Sequence, residues 1–144
     1  MSIEKMSGLE IMQAMGEGKL PMPSIAVTIP MKGVAVEYGR IVFEAMADHR
    51  HLNPLGGVHG GFIATVLDSV TGCAIHTTLG PGIAYGTIDL NVKMLKAVPQ
   101  NVPLIAEGKA IHTTRTLGIA EGTLKDSDGN FYAHATATCM ILRR

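Results

Sequence analysis

The longest hydrophobic segment of the chain lies between residues 60 and 77. Its apolar side chains recur around the whole circumference of a helix and are Phe62, Ile63, Val66, Leu67, Val70, Cys73, Ala74 and Ile75. A helix that is apolar on every side either lies in a protein core or spans a membrane. Asp68 stands in the middle and the unbroken apolar run is too short for a span. We therefore predict a buried central helix over about 60–77.

A shorter helical pattern stands near the start of the chain. Leu9, Met12 and Met15 recur at helical spacing, with Ser7 as a candidate cap and Glu10 three residues further on. This pattern predicts an amphipathic helix over about 7–17.

Alternation of apolar and polar residues predicts strands on both sides of the central helix. Those before it are expected at 24–29, 33–38 and 40–47, with a turn at 30–33 and a loop at 48–58. Those after it are expected at 84–96, 104–114, 116–125 and 131–142, with a hairpin turn at 126–130.

The alternation also predicts which side chains share a face. In 84–96, Thr87 is expected on the polar face, opposite Ile88 and Leu90. In the last strand, Phe131 is expected on the face of Ala133, Ala135, Ala137, Cys139 and Ile141, and Tyr132 on the other.

Together these elements predict one domain over residues 1–144 of the α+β class. A buried helix with so few other helices must be covered by the sheet. We expect a largely antiparallel sheet wrapped around the helix at 60–77.

Composition narrows the classes of partner. Only 17% of the residues are charged and the formal net charge is zero, which argues against nucleic acid or an anionic membrane. The two cysteines have no metal-binding or redox spacing, and the first residues do not form a secretory signal. We expect a cytoplasmic protein that has reduced cysteines, binds no metal and tends to self-associate.

Candidate chemistry concentrates at the predicted helix. Its first backbone N–H groups have no partner within the helix, and Gly60 and Gly61 would let a substrate carbonyl approach them closely, as in an oxyanion hole. The glycines could equally serve close packing. That alternative does not account for Asp68, because a buried aspartate is rare unless it is paired, nor for Asn53 in the preceding loop.

The spacing of these residues limits how they can cooperate. Asp68 lies eight residues beyond Gly60, about 12 Å along a helix axis. A carboxylate and an oxyanion hole so far apart cannot act on one carbonyl. If both are catalytic, they come from different chains, which predicts a dimer with two equivalent sites.

These residues resemble a known family. The segments HLNPLGGVHGG at 51–61 and LDSVTG at 67–72, with the GLE-x-M helix, the LP-x-P run and the 87–96 strand, are similar to the hotdog-fold acyl-CoA thioesterases of the phenylacetate-degradation (PaaI-like) type. The resemblance covers the whole chain. It implies a curved antiparallel sheet around one central helix, dimers that pair into tetramers, and no cofactor, since coenzyme A is part of the substrate.

The resemblance also implies roles for single residues. Asp68 matches the catalytic carboxylate, as nucleophile or as base for the attacking water. The Gly60 N–H matches the oxyanion donor, with His59 and Gly61 shaping that site. The other matches are Asn53, which orients water or the thioester, Thr87, which holds the attacking water, and Arg115 near the CoA phosphates. The strand end MLKAV at 94–98 departs from the family pattern, so the details of the acyl and CoA pockets do not carry over.

Three functions stay open at this point. The first is thioester hydrolysis. The second is dehydration or hydration of an acyl thioester, which pairs a histidine such as His59 with an acid such as Asp68. The third is acyl-CoA binding without catalysis. The acyl group cannot be read from the sequence.

Overall fold

The computed structural model describes residues 2–143. Three α-helices are present: α1 (Gly8–Gly16), α2 (Ile25–Thr28) and α3 (Gly60–His76), and short 3-10 turns lie at Ile3–Lys5 and His49–His51. Six strands are present: β1 (Met31–Glu37), β2 (Arg40–Ala45), β3 (Ala84–Met94), β4 (Leu104–Thr113), β5 (Leu117–Lys125) and β6 (Phe131–Leu142). In this part of the chain no helix has both the length and the apolarity needed to cross a membrane.

The six strands form one antiparallel sheet in the order β1-β2-β4-β5-β6-β3. Strand β3 is therefore an edge strand, although it follows α3 directly in the chain. The expected α+β class with a sheet around one long helix is confirmed, and the sheet is open at both edges.

Helix α3 packs across this sheet and forms the centre of the core. Val66, Leu67, Val70 and Ile75 are fully buried, as the apolar pattern predicted. Gly108 of β4 lies directly against the Val70 carbonyl, so closely that a Cβ at Gly108 would overlap it. The absence of a side chain there lets the sheet approach the helix backbone.

Helix α1 begins as predicted. The Ser7 side chain accepts a hydrogen bond from the Glu10 N–H, and the Glu10 carboxylate accepts one from the Ser7 N–H. Gly8 N–H donates to the Leu79 carbonyl just beyond α3 at 2.9 Å. The hydrogen bond from Gly8 therefore holds the start of α1 against the C-terminal end of α3.

The strand predicted at 24–29 is wrong, because these residues form the single turn α2. Ala26 N–H donates to Pro23 O, and Val27 N–H donates to Ser24 O. Val27 is 72% exposed, so its β-branched side chain has no neighbouring strand to pack on, and local turn bonding prevails over β propensity. The chain bends before Met31, where β1 already begins, rather than at 30–33.

The predicted facing of Thr87 and Ile88 is also wrong, because a β-bulge interrupts β3. Thr87 pairs with Cys139 and Asp89 pairs with Thr138, which leaves Ile88 as the extra residue. The bulge shifts the alternation by one position. Leu90 packs on the core and Thr87 faces the same side, toward α3, whereas Ile88 is 57% exposed.

A second irregularity lies at the start of β6. The register shifts between Leu124 and Lys125 of β5. Phe131 is consequently exposed and Tyr132 is buried, the reverse of the prediction. The Tyr132 hydroxyl donates to Asp126 Oδ2 at 2.7 Å in the predicted hairpin turn. From Ala133 onward the expected apolar face of β6 is confirmed.

Candidate active site

Asp68 opens from the middle of α3 into a cavity of about 240 Å³. Its Oδ1 atom is buried and, among the described residues, has no hydrogen-bond partner. A buried polar atom without a hydrogen-bond partner destabilises the folded state by about 1–3 kcal/mol, and by more when the group is charged. In a native protein such an atom calls for an explanation, and a bound water or substrate is one.

The rest of this cavity comes from α2, β1 and β3. Thr87 lines it beside Asp68, which the bulge at Ile88 makes possible. Gly72, one helical turn after Asp68, leaves room for the Thr87 hydroxyl and the Tyr85 ring, since a Cβ at Gly72 would lie 3.1 Å from that ring. The cavity thus holds a carboxylate and three hydroxyl-bearing side chains, those of Ser69, Tyr85 and Thr87, within a mostly apolar wall.

The cysteines near this cavity are free. Burial raises the pKa of the Cys73 thiol to about 11, and burial also raises the pKa of Cys139. Thiols of raised pKa are poor nucleophiles at neutral pH. Both residues therefore fit the packing role expected from the sequence.

The start of α3 presents a second set of groups. His59 is the residue before the first helical position, and its Nδ1 accepts a hydrogen bond from the Gly61 N–H at 2.7 Å. The Gly60 N–H has no acceptor among the hydrogen bonds of the described residues. A Cβ at Gly61 would lie 2.8 Å from His59 Nδ1. Gly61 accordingly leaves space for the His59 ring that caps the helix, and the Gly60 N–H remains available to donate a hydrogen bond.

Asn53 shapes the loop that leads into the helix. Its Oδ1 accepts hydrogen bonds from the N–H groups of Leu55 and Gly57, at 3.0 and 3.1 Å. The carbonyl end of the amide is thus engaged within residues 53–57. Its NH₂ end makes no hydrogen bond with the described residues, so it can still donate to another group.

A wider cavity of about 480 Å³ adjoins the start of α3. His59 and Arg50 line it together with His51. His51 is held on both ring nitrogens: Nδ1 accepts from the Asp48 N–H at 3.0 Å, and Nε2 contacts the Thr28 carbonyl at 2.8 Å. His51 is therefore a structural residue of this wall.

Within one chain the two sets of groups stay apart. Asp68 and Thr87 line one cavity, and His59 lines the other. Gly60 and Asp68 belong to the same helix and are about 12 Å apart along it. Arg115 lines neither cavity. It is exposed in the β4–β5 turn, where its carbonyl accepts a hydrogen bond from Arg143.

Two residues at these sites were not predicted from the sequence. Tyr85 lines the Asp68 cavity, and the end of the Met94 side chain covers Gly60, within 2.9 Å of where a Cβ would stand. Both are on β3. The face of β3 on which Tyr85 lies could not be predicted, because the bulge shifts the alternation. No local pattern indicates which part of α3 the end of β3 contacts.

Comparison with known proteins places the chain in a family. Residues 55–133, more than half of the chain, match the model of the thioesterase superfamily. None of the curated proteins compared with the chain matches it.

Solved structures share the fold over nearly the whole chain. A phenylacetic acid degradation-related protein from Ralstonia eutropha JMP134 is 32% identical, with a TM-score of 0.81 over 90% of this chain and 98% of that one. The PaaI protein of Escherichia coli superposes with the same TM-score over 92% and 94% of the two chains, at 14% identity. A Streptococcus mutans protein bound to acetyl CoA is 24% identical, with a TM-score of 0.77 over 87% and 98%.

The matched residues include the start of α3, Asp68 and the bulged strand β3. The chain therefore belongs to the thioesterase superfamily, with a hotdog fold and PaaI-like structural relatives.

Proposed function

We propose that this protein hydrolyses the thioester bond of an acyl-CoA, with Asp68 as the catalytic carboxylate. The observation that carries the proposal is the buried Asp68 Oδ1, which has no hydrogen-bond partner within residues 2–143 and faces a cavity beside the Thr87 hydroxyl. A carboxylate of this kind either attacks the thioester carbonyl or takes a proton from the attacking water. The geometry is compatible with both roles.

In the water-mediated form the atoms balance simply. Asp68 accepts a proton as the water oxygen bonds to the carbonyl carbon, and Thr87 holds that water. The carbonyl oxygen becomes an oxyanion that receives the Gly60 N–H. The carbonyl then forms again as the C–S bond breaks, and Asp68 returns its proton to the leaving sulfur, so that the free acid and the thiol of coenzyme A leave.

This chemistry needs Asp68 and Gly60 on the same carbonyl, and one chain separates them by about 12 Å. We propose that a second copy supplies the missing half, so that Gly60, His59 and Asn53 of one subunit face Asp68 and Thr87 of the other. Edge strand β3 is eleven residues long and carries exposed apolar side chains at Ile88 and Met94. An open edge of this kind favours pairing with another strand.

The His59 geometry favours hydrolysis over dehydration. Because Nδ1 accepts the Gly61 N–H, a neutral His59 carries its proton on Nε2. The exposed nitrogen is then a donor that suits an oxyanion rather than a base. A dehydratase would need a histidine nitrogen that is free to accept a proton.

The chemical nature of the substrate is supported by the relatives, one of which is bound to acetyl CoA. The free cysteines agree with the cytoplasmic location expected for an enzyme of acyl-CoA metabolism. Arg115 lines neither cavity of its own chain, so its contact with the CoA phosphates stays a prediction for the assembled site.

The test is to incubate the protein with a panel of acyl-CoAs and a thiol-reactive dye. We expect the free thiol to increase with time and in proportion to the amount of protein. An increase in enoyl absorbance without thiol release would indicate a dehydratase. Saturable binding of the same acyl-CoAs with neither change would indicate a binding protein.

A further inference from the structure

A third cavity adjoins the Asp68 cavity. It has a volume of about 260 Å³ and shares Met22, Pro23, Cys73 and Tyr85 with the Asp68 cavity. Its remaining wall is formed by α1, β1, β2 and the last turn of α3, and is mostly apolar: Met12, Met15, Val36, Ile41 and Phe43. We call this space the inner cavity.

The inner cavity is large enough for part of a small molecule. An apolar cavity of about 150 Å³ is known to hold benzene, so this one accommodates a small ring or a short chain. If the thioester carbonyl lies at Asp68, the shared walls at Tyr85 and Cys73 place the inner cavity next to the acyl group.

One polar side chain of the inner cavity is not shared with the Asp68 cavity. His76 lines it from the last turn of α3, eight residues beyond Asp68 and about 12 Å along the helix. Its ring packs on Tyr85 with centroids 5.0 Å apart. Neither ring nitrogen makes a hydrogen bond within residues 2–143, whereas the nitrogens of His51 both do.

Burial lowers the pKa of His76 below its ordinary value. The ring is consequently neutral at neutral pH, with one N–H donor and one acceptor nitrogen. Such a ring suits an uncharged group that both donates and accepts, such as a hydroxyl. It offers no positive charge for a carboxylate.

We propose that His76 is a specificity-determining residue, which binds an uncharged hydrogen-bonding group, such as a hydroxyl, at the far end of the acyl group. This rests on the proposed function, because it uses the thioester position at Asp68. The acyl group would be short and largely apolar, with its polar end within hydrogen-bond distance of the His76 ring when the carbonyl lies at Asp68.

The test compares two substrates that differ only in the terminal hydroxyl, hexanoyl-CoA and 6-hydroxyhexanoyl-CoA. We expect the wild type to prefer the hydroxylated ester in kcat/KM. His76→Phe keeps a ring against Tyr85 but removes both nitrogens. It should reduce the preference roughly ten-fold, as for the loss of one hydrogen bond.

Two further variants make the result specific. His76→Asn keeps a donor and an acceptor and should retain part of the preference. Met15→Leu changes the apolar wall and should affect both esters in parallel. Thermal melts identify any variant that does not fold. The comparison then uses the kcat/KM values of the variants that do fold.

Binding of the same two esters to Asp68→Asn, with and without His76→Phe, separates the two proposals. Turnover with a preference that is absent or independent of His76 would overturn the role of His76 and leave hydrolysis standing. His76-dependent binding of the hydroxylated ester without any turnover in the wild type would support the role of His76 and overturn hydrolysis. Absence of both binding and turnover would overturn both.

Discussion

Asp68 is the residue on which the proposed chemistry depends. Asp68→Asn replaces a carboxylate by an amide of the same shape, which neither attacks a carbonyl nor accepts a proton. We expect thiol release to fall by several orders of magnitude, with the folded state retained. The measurement is the rate of thiol release, detected with the dye, from the acyl-CoA that the wild type hydrolyses fastest. A thermal melt shows whether the variant is folded.

A matched control for this change is Asp128→Asn. Asp128 is exposed in the β5–β6 turn, away from β3, and lines none of the three cavities described above. It should leave turnover close to the wild-type rate. Asp68→Asn with near wild-type activity would show that the carboxylate is structural.

Gly60 tests the proposed oxyanion donor. In Gly60→Ala the new methyl would stand where the carbonyl approaches, and 2.9 Å from Met94 Cε and Sδ. The end of a methionine side chain moves readily, so the helix should fold. We expect kcat to fall about 10²–10³-fold, as for the loss of an oxyanion-hole donor.

A double variant distinguishes this from crowding by Met94. Gly60→Ala with Met94→Ala gives the new methyl space. If the double variant recovers wild-type kcat, the loss came from the displaced methionine. If kcat stays low in the double variant, the loss comes from the new methyl group at position 60, which blocks the approach of the carbonyl.

At the scale of elements, the β5–β6 turn makes a prediction about acid stability. Hydrogen bonds from Tyr132 and Asn130 to the Asp126 carboxylate lower its pKa to about 2. Because the folded pKa is lowered, the carboxylate stabilises the fold above its ordinary pKa near 4. This contribution should be lost as the pH falls from about 4 through 2.

The measurement is the difference in Tm between the wild type and Asp126→Asn at a series of pH values. We expect a constant difference from pH 7 to about pH 5 and a decrease below that range. Tyr132→Phe removes the first of the two side-chain donors and should make the decrease smaller. A difference that does not change with pH would mean that the bonds do not favour the charged form.

Elements also differ in how far the sequence predicts them. Helix α3 and strands β2, β4, β5 and β6 were found within a few residues of their predicted bounds, because burial on α3 and alternation in the strands leave strong patterns. Helix α2 was missed because Ile25 and Val27 favour strands, whereas no strand is available to pair with them. The bulge at Ile88 was missed because one extra residue changes register without changing composition.

The same limit applies to the candidate site. Asp68 stood out because it is an acid within an apolar helix, and Gly60 because it precedes the helix pattern. Tyr85 and His76 did not stand out, since a tyrosine in a strand and a histidine near a helix end are ordinary. Only the packing of β3 and α1 on α3 brings them to a common cavity.

At the scale of the whole molecule, the shared site can be tested by mixing variants. Homodimers of Asp68→Asn and of Gly60→Ala should both be nearly inactive. In a mixed dimer one site combines the intact Asp68 of one chain with the intact Gly60 of the other, and the second site carries both defects. Activity should recover to as much as half of the wild-type value per mixed dimer.

Subunit exchange has to be shown separately, for instance by mass spectrometry of differently tagged chains. Mixed dimers that form without recovery of activity would place the whole site within one chain. That outcome would contradict the pairing of Gly60 with Asp68 across subunits.

The position of β3 at the open edge of the sheet has a consequence for kinetics. A chain that must meet a second copy before it can act has a specific activity that depends on dilution. Well below the dissociation constant of the dimer, the initial rate should rise with the square of the protein concentration, and well above it in direct proportion. A rate that stays proportional down to single, separated chains would show that a solitary chain is already a complete catalyst.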